Sequence, residues 1–385
     1  MKRNYLYCLL TILLVAVSCE KVEMPYTTTI ETHVTYITNT TVYCGGIISS
    51  NGNPTIKEVG VEWCTTSDFE SNVSCSLADS SQAKSERFLL KIADLKRATQ
   101  YYVRAYARNN YSTIYGQVLS FKTSDVVLPT YFFPVSAYQF VTFSKGNLQY
   151  TQSTDTWSFA STQWEMIGTD NVTGGSVSSD EYGDHKYGTA LADKIDLFGW
   201  STSATNFGVS TSTDDYYYGS FVDWGTNKIG NDAPNTWRTL TYDEWDYLLN
   251  NRPNASSLKG VAQVNGVNGL ILLPDNWTCP SGVSFKSGFH SNNYAGYYPG
   301  FYAAYQTFTA DQWSQLEAAG AVFLPASGHR NGSYVWFVQE DGYYWSATEG
   351  DTYSAGDLCF FHGGAIMRNC GRCIGHSVRL VKDLQ

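Results

Sequence analysis

The sequence predicts a multidomain protein, with an all-β sandwich at the N-terminus and a larger α+β domain at the C-terminus. Only 16% of the residues are charged, 15% are aromatic and 33 are glycine. This composition favours β-rich and loop-rich folds over helical bundles. Short β-type runs fill residues 28–123, whereas two helices with clear start signals occur only after residue 240. The length of 385 residues suits two or three domains of roughly 100–200 residues each.

The first 27 residues are typical of export. Met1–Arg3 is positive, and the apolar run Leu6–Val17 is too short to cross a bilayer, which predicts a signal peptide at 1–18. The four residues ending at Cys19 resemble a bacterial lipobox, which implies cleavage before Cys19 and acylation of its thiol. Several acyl chains hold a protein at a membrane far more firmly than one. The alternative is an ordinary signal peptide with a chance cysteine.

Charge and cysteine content limit the partners and the cross-links. The net charge is −10, and no Lys/Arg cluster is present, which argues against a nucleic acid partner because phosphate binding needs clustered cations. Setting Cys8 and Cys19 aside, seven of the nine cysteines remain. An odd number leaves at least one thiol unpaired, and their scattered spacing indicates no disulfide framework.

Residues 28–123, after a tether at 19–27, are predicted to form about seven short strands. Thr40–Cys44 is β-branched and aromatic, and we expect the following Gly45-Gly46 to end that strand. Val59–Trp63 predicts another strand, and Tyr101–Ala107 predicts a third by its alternating pattern. Strands of this number and length suit a β-sandwich.

This segment resembles the fibronectin type III family, in the form common on surface lipoproteins of Bacteroidota. The matching residues are Leu95, Thr99, Tyr101, Val103, Ala105 and Asn109, with Gly116–Thr123 as the last strand. The resemblance implies that Tyr101 is a corner tyrosine whose hydroxyl bonds to the backbone. It also implies that the domain is a spacer between the membrane and the rest of the chain.

A linker at 124–130 precedes the second domain, 131–385. The run Thr241–Glu244 is a capping box that predicts a helix through Leu249, and Thr309–Gln312 predicts a second helix that ends at Gly320. The remainder reads as strand and loop. Two helices with a small mixed sheet indicate an α+β arrangement.

This domain resembles the C-type-lectin-like domains of the paralogous type found in Bacteroidota and Fibrobacter surface proteins. The matching stretches are Phe143–Tyr150, Asp196–Trp200, Trp237–Trp245, Val267–Asp275, Gly320–Ala326, Tyr343–Ser346 and Ser377–Val381. Together with the lipobox, the resemblance implies a lipid-anchored protein of the outer membrane that is exposed at the cell surface. Fold alone does not define function.

No catalytic motif is recognisable in the chain. His329 follows a predicted strand and is expected to be a polar surface residue. One enzymatic alternative stays open, because formylglycine-generating enzymes share a C-type-lectin-like core and hold copper with two cysteines. Cys370 and Cys373 invite that comparison, and thiolates suit a thiophilic metal. Their spacing differs from that family's, and residues three apart on one strand point to opposite faces.

A structural calcium ion is a further possibility. One loop region is crowded with oxygen-bearing side chains, which are the ligands that calcium prefers. These residues are Asp214, Asp215, Asp223, Asn227, Asn231 and Asp232. The sugar-binding tripeptides of calcium-dependent lectins are absent, so a solvated acidic loop is the simpler interpretation.

The segment Leu358–His376 has an unusual composition that points to binding. It contains no Lys, Glu, Gln or Trp and shows no period that would specify one strand face. Diversity-generating retroelements mutate adenines at the 3′ end of genes for such lipoproteins, and randomised Asn codons yield this residue set. The predicted variable binding residues are Cys359, Phe361, His362, Ile366, Cys370, Arg372, Cys373, Ile374 and His376. The alternative is drift on a solvent-facing strand.

The sequence therefore predicts an envelope protein that binds a protein or glycan ligand without catalysis and without a cofactor. Exposed tyrosines could stack on sugar rings, and the candidates are Tyr216, Tyr217, Tyr218, Tyr297, Tyr298 and Tyr302. Most tyrosines in β-rich folds instead pack with their hydroxyls at the surface.

Overall fold

The computed structural model of the protein describes residues 28–50, 56–79, 86–124, 131–136, 139–180, 183–200, 212–289 and 305–384. The predicted signal peptide and tether lie outside these residues, as do Cys19, most of the linker and the tyrosines at 297, 298 and 302. Within the described ranges, no helix combines the length and the apolar character needed to cross a membrane.

The N-terminal region is a two-sheet β-sandwich. Its described strands are β1 (Thr28–Ile37), β2 (Val42–Ser50), β3 (Glu58–Cys64), β4 (Ser74–Leu77), β5 (Arg87–Ile92), β6 (Gln100–Arg108), β7 (Thr113–Tyr115) and β8 (Leu119–Lys122). One sheet has the order β1-β2-β5, and the other has the order β4-β3-β6, with β7 and β8 both paired to β6. Apolar side chains from both sheets, among them Val42, Val59 and Val103, form one core. The predicted sandwich is confirmed.

The two glycines in β2 do not end that strand, contrary to the sequence expectation. Gly45 lies opposite Leu89 of β5. A Cβ atom at Gly45 would be 1.9 Å from the carbonyl oxygen of Phe88, so any larger residue would push the two strands apart. Glycine is required here by the close approach of a neighbouring strand, which is its other common role within a strand.

The side chain of Tyr101 fastens the turn before β6. Its hydroxyl accepts a hydrogen bond of 3.0 Å from the backbone N–H of Lys96. Its buried ring stacks on Phe121, with 5.6 Å between the ring centroids. The corner role that the sequence predicted for Tyr101 is present.

The C-terminal region is mostly β-structure in short strands. These are β9 (Phe133–Pro134), β10 (Phe140–Phe143), β11 (Leu148–Thr151), β12 (Thr156–Phe159), β13 (Val172–Thr173), β14 (Val177–Asp180), β15 (Gly183–Tyr187), β16 (Ala190–Leu191), β17 (Lys194–Ile195), β18 (Lys259–Val264), β19 (Val267–Leu272), β20 (Thr307–Phe308), β21 (Val322–Pro325), β22 (His329–Asn331), β23 (Tyr334–Val338), β24 (Gly342–Glu349), β25 (Ser354–Phe361), β26 (Gly364–Gly371), β27 (Ile374–Gly375) and β28 (Val381–Leu384). Strand β28 pairs with β10, which joins the two ends of the region.

Among the described residues, two α-helices lie where the sequence predicted them. Helix α1 (Tyr242–Asp246) continues into a π-helical turn, Tyr247–Asn251, and α2 (Ala310–Ala318) stops just before Gly320. Both begin with the predicted capping boxes, from Thr241 and from Thr309, which satisfy N–H groups at each helix start.

The largest side chains of this region fill its core. Five tryptophans are at most 1% exposed, namely Trp200, Trp224, Trp245, Trp313 and Trp345. Trp245 of α1 lies in a cluster with residues of β24, β25 and β26 and also of β18, β19 and β21, whereas Trp313 of α2 lies in a cluster with other residues of β18, β19 and β21. The residues of β18 and β19 in the two clusters alternate along each strand, so the two clusters lie on opposite faces of that sheet.

An aromatic cluster joins the sandwich to the C-terminal region. Tyr36 and Tyr43 come from the sandwich, and Phe132 and Phe140 come from the chain beyond it. Ring centroids are 4.3 Å apart for Tyr36 and Phe132, and 5.6 Å apart for Tyr43 and Phe140. The two regions therefore meet through a packed apolar contact.

The Tyr101 hydroxyl gives a test of the sandwich. Tyr101→Phe leaves the N–H of Lys96 without its partner, which should lower the free energy of unfolding by about 1–2 kcal/mol. Urea denaturation of the mature chain measures the change. Tyr102→Phe, on the same strand, is the control, because no hydrogen bond from its hydroxyl is seen within the described ranges. Equal losses in the two variants would contradict the corner role.

Candidate functional site

The segment that the sequence singled out forms most of a regular β-hairpin. Strand β25 pairs with β26 from Ser354 opposite Gly371 to Phe361 opposite Gly364, and the two residues between them make the turn. The expectation that this string specifies a strand face poorly is therefore wrong, because the cross-strand partners define its two faces. Strand β26 lies at the edge of the sheet β24-β25-β26.

One face of the hairpin anchors it to the core. Leu358 lies opposite Met367, and Phe360 lies opposite Ala365. All four pack into the hydrophobic cluster that contains Trp245 of α1. Leu358 and Phe360 are fully buried. Burial of this apolar face holds the hairpin in a defined position on the protein.

The other face of the hairpin covers a group of ionisable side chains. The Nε–H of Arg368 donates to the Oδ2 atom of Asp357 at 3.1 Å. The Nδ1 atom of His376 lies 3.6 Å from the same oxygen. The guanidinium of Arg368 lies 4.8 Å from the ring centroid of Tyr343. We call Asp357, Arg368, Tyr343, His376 and the neighbouring His329 the polar floor.

Burial keeps the two histidines of the polar floor neutral. It lowers the pKa of His329 to about 4, with the charge of Arg368 as a smaller cause. It also lowers the pKa of His376 far below its ordinary value, assisted by His329 and Arg368. His329 was expected at the surface, and the structure shows it only partly exposed. Its ring packs between Phe337, at 5.6 Å, and Tyr343, at 5.1 Å.

The pKa values of two carboxyl groups, Asp357 in the polar floor and Asp341 beside it, shift in the opposite direction. Burial raises the pKa of Asp357 to about 6, although the adjacent Arg368 opposes the shift. Burial likewise raises the pKa of Asp341 to about 6, although the hydroxyl of Tyr343 donates to it at 2.7 Å. In the native protein these acids bind protons more readily than usual, and the imidazoles bind them less readily.

Five of the nine predicted binding residues have exposed or partly exposed side chains. They are Phe361, His362, Ile366, Cys370 and Ile374, which we call the binding face. Ile366 is the most open of them, with 51% of its surface exposed. An exposed apolar side chain on an edge strand offers a contact surface to a partner.

The other four predicted residues are corrected by the structure. Cys359, Arg372, Cys373 and His376 are each at most 5% exposed, so their side chains do not lie on a surface that a ligand can reach. Cys359 shares a sheet face with Ile366 but lies nearer the centre of the sheet. The turn after β26 directs Arg372 and Cys373 inward, and His376 belongs to the polar floor.

Arg372 has a structural role at the end of the hairpin. Its Nε–H donates to the carbonyl of Ser354 at 3.2 Å, and its Nη1 donates to the carbonyl of Gly219 at 3.3 Å. Its guanidinium lies 4.5 Å from the ring centroid of Trp200 and forms an ion pair with Glu349. Arg372 thereby ties β26 to the tyrosine-rich segment that contains Gly219.

Three tyrosines form an exposed aromatic patch beside the end of β26. Ring centroids are 5.3 Å apart for Tyr216 and Tyr353, and 5.9 Å apart for Tyr218 and Tyr353. Tyr218 is 61% exposed and Tyr353 is 55% exposed. A Cβ atom at Gly371 would lie 3.8 Å from the Tyr216 ring. We call these three residues the tyrosine patch; the predicted Tyr217 is instead buried.

The cysteine pair does not present two ready metal ligands. Burial raises the pKa of Cys370 to about 11 and also raises the pKa of Cys373, which opposes formation of the thiolates that hold a metal. All seven cysteines in the described ranges are free thiols.

The side chains proposed for calcium are partly committed to internal bonds. Asp223 accepts from the N–H of Gly225 and of Thr239, each at 2.9 Å. Asp232 accepts from the indole N–H of Trp237 at 2.9 Å. Among the described residues no three His, Cys, Asp or Glu side chains are grouped so as to hold a metal ion. These bonds explain part of the acidic loop without calcium.

Comparison with solved structures finds partial similarity to β-sandwich domains. No protein-family model and no curated protein matches the chain. The sensor domain of the anti-sigma factor RsgI4 from Pseudobacteroides cellulosolvens is similar at 18% identity and a TM-score of 0.22, covering 26% of this chain and 76% of its own. The fn3 domain of human contactin 1 has 13% identity and a TM-score of 0.21, covering 26% and 79%. The sixth fibronectin type III domain of human fibronectin type III domain containing protein 3 has 19% identity and a TM-score of 0.20, covering 26% and 87%. These structural neighbours are fibronectin type III-like or other β-sandwich domains.

Sequence reasoning missed the polar floor and the role of Tyr353. Asp357, Tyr343 and Arg368 are far from His329 along the chain, and only the sheet brings them together. One signal was available, since an Asp directly before a run of apolar strand residues indicates a buried and paired carboxylate. Tyr353 gave no comparable signal, because its partners Tyr216 and Tyr218 lie more than 130 positions earlier.

The polar floor predicts a particular pH dependence. Between pH 6.5 and about 4 the unfolded histidines bind protons and native His329 does not, so stability falls as the pH falls. Native Asp357 binds its proton near pH 6 and the unfolded carboxyl near 3.8, which offsets that fall. Asp357→Asn removes the offset, so its urea midpoint should drop more steeply from pH 6 to 4 than that of the unchanged protein. Asp243→Asn, at an exposed site, should keep the original slope; a parallel slope for Asp357→Asn would contradict the assignment.

Proposed function

We propose that this chain is a lipid-anchored protein of the outer membrane, exposed at the cell surface, whose C-terminal region binds a protein or glycan ligand without catalysis. Cys19 is the proposed site of lipidation. The sandwich is the proposed spacer, of the fibronectin type III kind, and its packing against the C-terminal region would present that region at a fixed orientation. Nucleic acid is not the proposed ligand, because the net charge is −10.

One observation carries the binding proposal. Four of the five binding-face residues, all except Ile374, lie on a hairpin whose opposite face packs against the core around Trp245 through Leu358, Phe360, Ala365 and Met367. A rigid element with substitutable outward side chains is the arrangement that binding surfaces use. Ile366 and Phe361 supply apolar contact area, and aromatic and aliphatic anchors of this kind dominate interface energetics.

The tyrosine patch extends this surface. The hydrogen bonds of Arg372 hold the segment that contains Gly219 against the end of β26. The tyrosine patch therefore lies next to Gly371. Aromatic rings with polar tips suit contact with either a sugar ring or a protein. A ligand that covers both parts would contact the hairpin tip at one end and the tyrosines at the other.

The C-type-lectin-like class is part of this proposal. It is supported by two short capped helices that cover small sheets, and by the pairing of β28 with β10 that closes the region into a loop. The proposed variation at the 3′ end of the gene is also supported by the exposure of the binding face. Substitutions there would leave the apolar anchor and the polar floor unchanged.

Ile366→Glu tests the binding face. A glycan array and an array of purified extracellular proteins are probed with the mature chain and with the variant. The charge enters an exposed apolar contact, so affinity for the ligands that the unchanged chain binds should fall at least about tenfold. The urea midpoint should not change, because the side chain is 51% exposed.

Val177→Glu is the matched control for that experiment. Val177 is also apolar and 52% exposed, but it lies on β14, in a different sheet. It should leave ligand binding unaltered. Loss of binding in Val177→Glu alone, or retention of full affinity in Ile366→Glu, would contradict the proposed surface.

Cys19→Ser tests the anchor. Buried acyl CH₂ groups contribute about 0.8 kcal/mol each, so removal of the acylated thiol should move the protein from the membrane pellet to the soluble fraction. The measurement is fractionation of cells that express the full chain, followed by immunoblotting. Cys75→Ser, at an exposed free thiol, is the control. Membrane retention of Cys19→Ser through a sodium carbonate wash would contradict lipid anchoring.

A further inference from the structure

A concave site lies outside the β25–β26 hairpin. It is a cleft of about 430 Å³, within the usual range of roughly 300–1,000 Å³ for small-molecule sites. Its walls include Phe143, Ser144 and Lys145, then Trp237, then Gly320–Val322. These belong to three separate stretches that the sequence analysis singled out and that the proposed ligand surface does not use.

Aromatic rings form the walls of this cleft. Tyr131, Phe143, Phe159 and Trp237 all line it. Phe159 meets Trp237 edge to face, with 5.1 Å between the ring centroids. The wall at Tyr131 depends on Gly320, which has a φ of +90° and whose Cβ position would be 2.3 Å from the tyrosine ring. Any side chain at Gly320 would displace that wall.

The cleft is lined by the carboxylates of Asp232 and Glu317, and each accepts a hydrogen bond from a neighbouring side chain. Asp232 accepts from the indole N–H of Trp237 at 2.9 Å. Glu317 accepts from the amide of Gln163 at 2.8 Å. In both carboxylates the second oxygen receives no hydrogen bond from the part of the chain that the structure describes. Lys145 is the only cation among the lining residues, so acidic groups outnumber basic ones.

Gln163 makes the position of Glu317 rigid. It is only 4% exposed, and its carbonyl oxygen accepts from the guanidinium of Arg379 at 2.8 Å and from the N–H of Phe323 at 2.7 Å. Its amide orientation is therefore set from the interior of the protein. A carboxylate oriented in this way is prepared for a partner before any partner arrives.

We propose that this cleft binds an alkylammonium group, carried either by a small quaternary ammonium compound or by a lysine side chain. Aromatic faces attract cations through their ring quadrupoles. The two carboxylates add a charge that neither an anion nor a neutral ligand would exploit. The cleft is separate from the binding face, so its test is independent of the function proposed above.

Isothermal titration calorimetry of the mature chain tests the proposal with three probes. Tetramethylammonium represents the small cation, N-acetyl-lysine methylamide represents the lysine side chain, and tert-butanol is the neutral isostere of the first. At least one of the two cations should bind about tenfold or more tightly than tert-butanol. The tighter of the two cations identifies the source of the group.

Two charge variants should change the cation affinity in opposite directions. A general loss of folding would lower the affinity in both variants. Asp232→Asn should weaken cation binding about tenfold, and Lys145→Gln should strengthen it a few-fold, because each changes the field in the cleft. Asp311→Asn, exposed on α2 and outside the cleft lining, should have no effect. Equal binding of tert-butanol and the cations, no saturable binding of either cation, or weakening in both Asp232→Asn and Lys145→Gln would overturn the proposal.

Discussion

The packing of Leu358, Phe360, Ala365 and Met367 against the core around Trp245 is the contact on which the ligand surface depends. An edge hairpin that lacked this apolar face would be free to twist or to change register, and a one-residue slip would turn every side chain to the opposite side. Because the packed apolar face fixes the register, the exposed residues of β26 can be replaced by any residue that a strand tolerates. The apolar face therefore supplies the anchor, and the exposed Ile366 lies on the opposite face together with Asp357 and Arg368.

The polar floor adds specificity to that contact and also makes it sensitive to acid. Asp357 and Arg368 form an ion pair in which the carboxylate is fully buried. Such a pair adds little net stability to the fold, but removing one partner is costly because the other charge stays buried without compensation. His376 and Tyr343 pack beside them with 5.2 Å between their ring centroids. A shifted hairpin would separate these charges from their partners, so the floor disfavours alternative registers that the apolar face alone would tolerate.

Local signals in the sequence predicted the elements, but not the surfaces that those elements form. The capping boxes at Thr241 and Thr309 and the corner position of Tyr101 depend on neighbours within a few residues, and all three are present. Gly45 was misread because the constraint on it comes from Phe88 in another strand. The burial of Cys359, Arg372, Cys373 and His376 depends on cross-strand register and on a turn. Neither can be predicted from the composition of the segment. The aromatic cleft likewise needs three distant stretches to converge.

The most direct test of the central claim, that the exposed side of the hairpin is a variable ligand surface, is to sequence this locus and its downstream DNA in several sibling isolates. The account predicts a near-copy of the 3′ end close to a reverse-transcriptase gene, with substitutions concentrated at Phe361, His362 and Ile366 and with Asp357 and His376 unchanged. Substitutions spread equally over buried and exposed positions would contradict it. An invariant 3′ end without a near-copy would contradict it as well.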